Sequence, residues 1–438
     1  MKTQPPSPIR IVTLGCSKNV VDSEVLAGQL RASKVESVHD EHREASDTVV
    51  INTCGFIDKA KEESVQTILD YVERKRRGDI RRVYVSGCLS QRYGEELAAE
   101  IPEVDGFFGT GDLSGLVETL GAEYREELLG ERETSTDSHY AYLKVAEGCN
   151  RGCGFCAIPL MRGKHVSRDL DFLVDEARYL VGRGVRELML IAQDLTYYGL
   201  DLYGERRLKE LLERLADIEG LDWIRLHYAY PSGFPVDILP VIRGRDNICN
   251  YLDIPIQHAS SRMLKIMRRA ITKKRTEDLL TRIREEVPGI ALRTTVLVGH
   301  PGETEEDHEE LLQFLERMRL DRVGGFIYSH EEATHSFTMP DEVPPDIKQR
   351  RLNEVMALQQ SISLSLNEAR VGQTLKVLVD REGVAEDGED GYIARTEYDS
   401  PEVDNQVLLQ GEGLRTGEFY RARITGALEY DLLAEVEA

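Results

Sequence analysis

The sequence predicts an α/β protein with three domains: an open parallel α/β sheet at residues 8–125, a (β/α) barrel at 135–366 and a small antiparallel β-barrel at 369–436. Three observations predict this order. Strand–loop–helix units fill the first part of the chain, strands and helices then alternate over residues 140–365, and short strands without helices follow. The 438 residues leave room for about two to four such domains.

The N-terminal domain is indicated by three short apolar runs, which end at Cys16, Cys54 and Cys88. The runs are unbroken and rich in β-branched residues, as buried parallel strands are, and each is followed by a sequence that favours a helix start. The carboxyl ends of neighbouring parallel strands line one crevice. We therefore expect the three thiols to converge into a site with one open coordination position. Buried cysteines that end strands by chance are the alternative.

The central domain is indicated by apolar runs that are each followed by a polar loop, with amphipathic stretches between them. These runs lie at residues 141–147, 187–193, 223–228, 251–256, 290–298 and 322–328. They predict a parallel barrel, complete or partial. A long helix over residues 344–369 closes the domain, with proline near its start and Gly372 past its end.

A second group of cysteines, Cys149, Cys153 and Cys156, lies on the loop after the first predicted barrel strand. Their spacing is C-x3-C-x2-C, with no fourth cysteine nearby. Three thiolates hold three irons of a cubane cluster and leave the fourth iron open to a small molecule. Structural zinc and three unrelated buried cysteines are the alternatives. Zinc sites usually pair four ligands, and the nearest downstream histidine, His165, has no partner at that spacing.

This loop resembles the signature of the radical S-adenosylmethionine (SAM) superfamily, C-x3-C-x-aromatic-C, with Phe155 as the aromatic residue. The resemblance implies a catalytic 4Fe–4S cluster on the loop, with SAM at its open iron and across the mouth of a radical SAM barrel. Gln193, Asp194, Gln257 and Gly299 follow barrel strands and are candidate SAM contacts together with Phe155. Each of the four also fits ordinary turn or capping chemistry.

The N-terminal motifs Gly-Cys-Ser-Lys-Asn at 15–19, Asn-Thr-Cys at 52–54 and Ser-Gly-Cys at 86–88 resemble those of the radical SAM methylthiotransferases. The Ser-Lys-Asn sequence is similar to the RimO-type branch, which modifies an aspartate of small-subunit ribosomal protein twelve. The branch that acts on tRNA has Gln-Met-Asn there. The central Gln-Asp-x-Thr-x-Tyr-Gly segment at 193–199 also matches the family.

Membership of that branch would assign an auxiliary 4Fe–4S cluster to Cys16, Cys54 and Cys88. It implies methylthiolation of the aspartate β-carbon with two SAM molecules consumed, and an external electron donor and a sulfur source as partners. His300 and His335 depart from the family's usual pattern, and we expect His300 to be a loop residue rather than a base. Cys249 matches no motif and is expected to be a structural thiol.

Short alternating strands at the C-terminus predict a barrel of the oligonucleotide-binding kind, which resembles a TRAM domain, generally an RNA-binding module. Residues 371–438 nevertheless carry six Lys+Arg and sixteen Asp+Glu, so their charge is 6 − 16 = −10. A surface that neutralises phosphates needs the opposite sign. The acidity favours a basic ribosomal protein over nucleic acid as direct substrate. A solvated acidic surface without a partner is the alternative.

The whole chain has a net charge of −23, which fits either an attraction to basic proteins or an adaptation of the host. No apolar stretch reaches the roughly 18 residues of a membrane span, and the N-terminal ten residues lack the apolar core of a secretory signal. We therefore expect a cytoplasmic protein whose seven cysteines serve metal or catalysis. Three other functions remain: a tRNA adenosine methylthiotransferase, a two-cluster electron-transfer protein and a zinc-stabilised nucleic-acid binder.

Overall fold

The computed structural model describes residues 7–39, 46–128, 130–384 and 390–437, which form two compact units. Unit 1 contains the described residues up to Thr136 together with Tyr142–Asn150 and Ala157–Tyr179. Unit 2 contains Asp137–Ala141, Arg151–Cys156 and the chain from Leu180 onward. The three domain boundaries given above stay predictions, and the first six residues of the N-terminal segment lie outside the described residues.

Unit 1 is built on a five-stranded parallel sheet in the order β2-β1-β3-β4-β5. Both faces are covered, because Val49, Ile51 and Val83 pack into one core and Ile11 and Val50 into another. This explains why the strands are unbroken apolar runs, and it confirms the predicted open sheet. The elements are β1 (Ile9–Thr13), α1 (Ser17–Ala32), β2 (Ser37–His39), β3 (Thr48–Thr53), α2 (Asp58–Arg77), β4 (Arg82–Gly87), α3 (Cys88–Glu100), β5 (Gly106–Phe107) and α4 (Leu113–Thr119).

The next elements connect the two units along the chain. They are β6 (Tyr140–Lys144), β7 (Ala146–Glu147), α5 (Ile158–Arg162), β8 (Val166–Ser167) and α6 (Leu170–Gly182). Strands β7 and β8 form a small antiparallel pair in unit 1, and the cysteine loop lies between β7 and α5. The chain enters unit 2 at Arg151 and leaves it again after Cys156.

Unit 2 contains the parallel strands β9–β13 of a six-stranded sheet whose order is β13-β12-β11-β10-β9-β6. Because this sheet is open, the predicted barrel is a partial one. Its strands are β9 (Glu187–Ile191), β10 (Trp223–Leu226), β11 (Ile248–Asp253), β12 (Ala291–Val298) and β13 (Arg322–Ile327). Its helices are α7 (Leu208–Ala216), α8 (Leu239–Gly244), α9 (Ser261–Ile266), α10 (Lys273–Glu286), α11 (Glu305–Met318) and α12 (Pro345–Glu368).

The C-terminal strands close into a five-stranded barrel in the order β14-β15-β16-β18-β17. Four neighbouring pairs are antiparallel, as predicted, whereas β16 and β18 are parallel. An odd number of strands in a closed ring cannot all alternate in direction, so one parallel pair is required. The strands are β14 (Thr374–Val384), β15 (Asp390–Thr396), β16 (Val407–Gln410), β17 (Phe419–Ala427) and β18 (Leu432–Val436).

Buried ion pairs join this barrel to the amino ends of the six-stranded sheet. Glu187, the first residue of β9, accepts a hydrogen bond from Arg225 at 2.7 Å and forms an ion pair with Arg395 of β15 at 2.8 Å. Arg322 pairs with Asp399 at 2.6 Å. The barrel therefore packs against the end of the sheet opposite to the carboxyl ends of its strands.

In the described parts of the chain, no helix has the length and apolarity that crossing a membrane requires.

Candidate active site

Cys16, Cys54 and Cys88 lie at the carboxyl ends of β1, β3 and β4, which are adjacent in the sheet of unit 1. The turn before Cys16 passes directly against Cys54. A Cβ on Gly15, whose φ is +95°, would lie 2.7 Å from the Cβ of Cys54 and 3.1 Å from its Sγ, so only glycine fits. A Cβ on Gly55 would lie 3.0 Å from the carbonyl carbon of Cys88. The structure thus brings the three cysteines together, and none is in a disulfide.

The three thiols differ in their surroundings. Cys16 is exposed, Cys54 is half-buried and Cys88 is buried. Burial raises the pKa of the Cys88 thiol to about 11 and also raises the pKa of Cys54. Metal ligation requires the thiolate, so a cation beside the most buried thiol favours ligation.

Arg162, the last residue of α5, supplies such a cation within unit 1. Its Nε donates to Cys88 Sγ at 3.3 Å, and its side chain is almost fully buried. Nη1 pairs with Asp22 at 2.8 Å and with Glu147 at 3.0 Å, and Nη2 donates to Asn19 Oδ1. Arg162 is thus held in place by two carboxylates while its remaining donor reaches the thiol.

A cavity of about 280 Å³ opens in unit 1 beside the end of β4 that leads into Cys88. Its lining combines apolar side chains of α1 and α4 with charged groups that pair with one another, since Lys144 bonds both Asp22 and Glu147. Ser86 and Gly87 form part of its wall. This space is large enough to admit a small molecule beside the end of β4.

The N-terminal end of the second cysteine loop is fixed within unit 1. The N–H of Cys149 donates to the carbonyl of Gly163 at 3.1 Å. Gly148 has φ of +74°, and a Cβ on it would lie 2.7 Å from the carbonyl oxygen of Arg162. The loop therefore needs glycine where it approaches the end of α5, and Arg162 contacts both cysteine-bearing segments of this unit.

The rest of the loop is fixed within unit 2. The N–H of Gly154 donates to the carbonyl of Met267 at 2.9 Å, and the carbonyl of Gly154 accepts from the N–H of Ser336 at 2.7 Å. The N–H of Cys156 closes a turn on the carbonyl of Cys153 at 3.2 Å. The segment between these two cysteines is therefore bonded on both sides.

His300 supports this arrangement. It is fully buried, its Nε2 lies 2.8 Å from Ser336 Oγ, and its ring meets Phe155 edge-on at 6.4 Å. Burial lowers the pKa of His300 to about 4, so the ring is neutral at physiological pH. Phe155 itself is half-buried against Met263, Met267, Leu297 and Tyr328. His300 lies in the loop after β12, and its contacts are those of a residue that anchors the cysteine loop.

The candidate SAM contacts occupy different environments. Asp194 is buried and accepts from the Thr196 N–H at 3.0 Å and from Arg151 Nε, on the cysteine loop, at 2.7 Å. Gln257 is half-buried, and its backbone bonds to β12 through Thr295 and Leu297. Gln193 is half-buried after β9.

Three further residues singled out in the sequence have different surroundings. The N–H of Gly299 donates to the Glu303 carboxylate, and the Lys348 stem fills the space beside its Cα. His335 is exposed before the short turn that contains Ser336. Cys249 is buried beside Trp223 and Tyr251, and burial raises its pKa to about 12, as fits a structural thiol.

Three side chains around the cysteines were not found by sequence reasoning. Besides Arg162, Arg269 donates from Nη1 to Cys153 Sγ at 3.2 Å, and the Tyr230 hydroxyl lies 3.8 Å from the same sulfur. Arg162 lies six residues after Cys156, but Arg269 and Tyr230 are far from the loop in sequence and belong to none of the motifs. Only the fold brings them to the sulfur.

No three His, Cys, Asp or Glu side chains in the described ranges are close enough together to hold a single metal ion. A cubane cluster is a different case, because each of its cysteines binds a different iron atom. The cysteines outside disulfides, the cations beside Cys88 and Cys153 and the glycines at the close approaches fit such a cluster.

Three family models match the chain in succession. The uncharacterised protein family UPF0004 matches residues 8–109, the radical SAM superfamily matches 143–315 and the TRAM domain matches 371–436. The ribosomal protein uS12 methylthiotransferase RimO of Cytophaga hutchinsonii is 54% identical over 431 residues, which cover 98% of this chain and 97% of that protein. The chain belongs to the RimO methylthiotransferase family. Membership implies SAM and 4Fe–4S clusters as cofactors.

Two other RimO proteins have similar sequence identity to this chain. Those of Flavobacterium psychrophilum and Bacteroides thetaiotaomicron are 55% and 52% identical, each over 98% of this chain and over 97% and 98% of their own length. Among solved structures, the radical SAM methyltransferase TsrM of Kitasatospora setae has a TM-score of 0.54 at 16% identity, covering 73% of this chain and 72% of its own. The cobalamin-dependent radical SAM enzyme OxsB has a TM-score of 0.53 at 13% identity, over 81% of this chain and 56% of its own. These two similarities show the fold.

Proposed function

We propose that this protein methylthiolates the β-carbon of an aspartate of ribosomal protein uS12. The observation that carries the proposal is the identity above 50% with RimO proteins over nearly the whole chain. The two groups of three cysteines support it, because sulfur insertion needs a site for radical chemistry and a second site for the sulfur.

Two clusters are part of the proposal. Cys149, Cys153 and Cys156 hold the radical SAM cluster, and Cys16, Cys54 and Cys88 hold the auxiliary cluster. The clusters and SAM supply, when bound, the one-electron chemistry that removes hydrogen from an unactivated carbon and the sulfur and methyl groups that replace it. An external electron donor and a sulfur source complete the set of partners, and the reaction takes place in the cytoplasm.

The protein itself fixes the position of the cysteine loop. The loop that presents Cys153 and Cys156 is fixed by two hydrogen bonds: the Gly154 N–H donates to the carbonyl of Met267, and the Gly154 carbonyl accepts from the N–H of Ser336. Rigid ligands keep the open iron in one place relative to its substrate, which is what positioning contributes to rate.

Five residues are proposed to make up the SAM site: Phe155, Gln193, Gln257 and Gly299 by contact, and Asp194 through Arg151. The half-buried ring of Phe155 offers an apolar surface to the adenine. The carboxylate of Asp194 is already bonded to Thr196 and Arg151, so we assign it the indirect role of orienting Arg151 on the loop. Gly299 contributes its backbone at the end of β12.

Substrate capture is assigned to the acidic C-terminal barrel. Three of its carboxylates, those of Asp380, Asp399 and Asp404, are bonded to His139 and to arginines of unit 2 and are not available to a partner. Among the barrel residues whose side chains the structure describes, the exposed acidic ones are Glu382, Glu402, Glu412, Glu418, Glu429, Glu435 and Glu437. This remaining charge still favours a basic protein and opposes an RNA backbone.

The deciding experiment offers purified uS12 and unmodified tRNA to the reconstituted enzyme side by side. A mass gain of about 46 Da on a uS12 peptide, because S–CH3 replaces hydrogen, supports the proposal. The same gain on adenosine alone would assign the tRNA reaction instead. Cys149→Ala should abolish SAM cleavage, whereas Cys16→Ala should cleave SAM without methylthiolation. A Cys16→Ala enzyme that still forms product would contradict the role of the auxiliary site.

Charge reversal tests the docking surface. The triple variant Glu412→Lys, Glu429→Lys and Glu435→Lys should raise KM for uS12 and leave SAM cleavage without substrate unchanged, because opposite charges steer association. The matched control reverses the exposed Glu95, Glu96 and Glu100 near the end of α3. Equal effects of the two triple variants would mean that only net charge matters.

A further inference from the structure

Arg269 is a buried guanidinium at the radical SAM loop. It is 3% exposed, and it follows α9 in unit 2. Nη1 donates to Cys153 Sγ at 3.2 Å, and Nη2 donates to the carbonyl of Pro255. The guanidinium carbon lies 4.2 Å from the ring centre of Tyr230, whose hydroxyl donates to the carbonyl of Arg269 at 2.8 Å. The position of this cation is therefore fixed from several sides.

Arg269 has no carboxylate partner among the described residues, and its buried Nε has no hydrogen-bond acceptor there. Other buried arginines behave differently. A carboxylate within ion-pair distance is present at Arg132, Arg162, Arg225, Arg322, Arg351 and Arg395. Burying a charge without a counter-charge is strongly unfavourable, so the exception needs an explanation.

The neighbouring Arg151 contacts the same tyrosine but has a carboxylate partner. Its guanidinium carbon lies 4.1 Å from the centre of the same Tyr230 ring, and its Nε pairs with Asp194 at 2.7 Å. Two cations thus share one aromatic ring, and among the described residues only Arg151 of these two has a carboxylate partner. The group bonded to Arg269 that becomes anionic on metal ligation is Cys153 Sγ.

We propose that Arg269 is a positioning residue whose counter-ion is the cluster on Cys149, Cys153 and Cys156. Thiolate-ligated cubane clusters are anionic, and their reduction potentials depend on net charge and on hydrogen bonds to sulfur. The arginine therefore stabilises cluster binding and raises the reduction potential, which favours electron uptake. Without the cluster, the same arginine destabilises the fold. This inference rests on the proposed function, because it assigns the cluster to these cysteines.

The test compares Arg269→Met with Arg268→Met in the full-length protein, each with and without reconstituted clusters. Arg268 is exposed and adjacent, so the control removes the same charge. Arg269→Met should raise or maintain Tm in the metal-free protein and lower it in the reconstituted protein, because methionine fills the space without a charge. Arg268→Met should change Tm equally in both forms.

The second readout is the reduction potential of the radical SAM cluster, measured by EPR-monitored titration. The background is Cys16→Ala, Cys54→Ala and Cys88→Ala, which leaves a single cluster signal. Arg269→Met should shift the redox equilibrium at least tenfold toward the oxidised form, a fall of about 59 mV for one electron. Arg269→Lys should restore part of this, because it returns the charge without the guanidinium geometry.

Two results would overturn the inference: equal Tm changes with and without the clusters, or a potential that does not move. A metal-free Arg269→Met protein that fails to fold would also overturn it, since the arginine would then support the fold alone. Wild-type protein that takes up no iron would overturn this inference and the proposed function together. A cluster-dependent effect without methylthiolated uS12 would overturn only the substrate assignment.

Discussion

In unit 1, Nε of Arg162 donates to Sγ of Cys88 at 3.3 Å, and this is the contact through which α5 reaches the crevice at the strand ends. Arg162 also pairs with Asp22 and Glu147, so the guanidinium is oriented before any cluster binds. Burial raises the pKa of the Cys88 thiol, and a fixed cation therefore lies beside a thiol that is otherwise hard to ionise.

Replacement of this cation should weaken the auxiliary cluster selectively. In Arg162→Gln, Cys88 loses its donor and the two carboxylates lose their main partner. Iron per chain should fall from about eight atoms toward about four, the content of one cubane. SAM cleavage should persist while methylthiolation is lost. Iron and sulfide analysis with a cleavage assay checks this, with Arg82→Gln at the exposed start of β4 as control. Unchanged iron content would contradict it.

The cysteine loop contains two glycines that should respond differently to alanine. Gly148 combines a φ of +74° with the close carbonyl of Arg162, so Gly148→Ala should cost roughly 2–4 kcal/mol of unfolding free energy. Gly152 is exposed, with no atom within 4 Å of an added Cβ, and Gly152→Ala should change stability by less than about 0.5 kcal/mol. Urea unfolding of the metal-free proteins separates them. Equal losses would refute the steric argument.

His300 should make the fold sensitive to acid. Burial lowers its pKa from an ordinary value near 6.5 to about 4, against partly opposing effects of Pro301, Glu303 and Asp341. Between about pH 4 and 6.5, His300 binds a proton in the unfolded chain but not in the folded chain. Its contribution to the free energy of unfolding is therefore fully present above about pH 6.5 and is lost as the pH drops toward 4. The loss is up to roughly 3 kcal/mol, since each tenfold change in proton affinity is worth about 1.4 kcal/mol.

Two variants separate the contribution of His300 to acid sensitivity from that of other groups. Unfolding free energies at pH 7 and pH 5 should differ less in His300→Gln than in the wild type. Ser336→Ala removes the hydroxyl partner but keeps the buried imidazole, so it should lower stability at both pH values and retain the difference. A His300→Gln protein as acid-sensitive as the wild type would place the effect on other groups.

Glu187 should be among the most sensitive positions of unit 2. Glu187→Gln leaves Arg225 and Arg395 buried without their shared carboxylate, at a cost of roughly 3–5 kcal/mol. Glu418→Gln removes a carboxylate that pairs with Arg186 but is half-exposed, and should cost less than about 1 kcal/mol. Chemical denaturation measures both. A small loss at Glu187 would mean that water reaches the two guanidinium groups.

The sequence was sufficient to predict the elements that depend on local patterns. The strands that end at Cys16, Cys54 and Cys88 are recognisable because burial on both faces of a parallel sheet produces unbroken apolar runs. The helix Pro345–Glu368 begins and ends close to where proline and Gly372 place it. The convergence of the three cysteines followed from one general property of parallel sheets, that the carboxyl ends of neighbouring strands meet at one edge.

The side chains that complete the sites were not predictable in this way. Arg269 reaches Cys153 from 116 positions further along the chain, and Arg162 reaches Cys88 across 74. Nothing in their local sequence distinguishes them from other arginines, since a buried cation is defined by the folded surroundings. The parallel pair in the C-terminal barrel was missed for a related reason, because it depends on closure of the whole ring.

The acidic side chains of the C-terminal barrel divide into those sealed against the six-stranded sheet and those open to water. Mobile ions reach only the second class, since at 1 M salt the Debye length falls to about 3 Å while buried pairs are little screened. Concentrated salt should therefore affect two properties of the barrel differently, although one substitution could change both: its attachment to the six-stranded sheet and its attraction for a basic protein. The barrel should stay attached to its neighbour, while a basic protein drawn to its outer surface should be released.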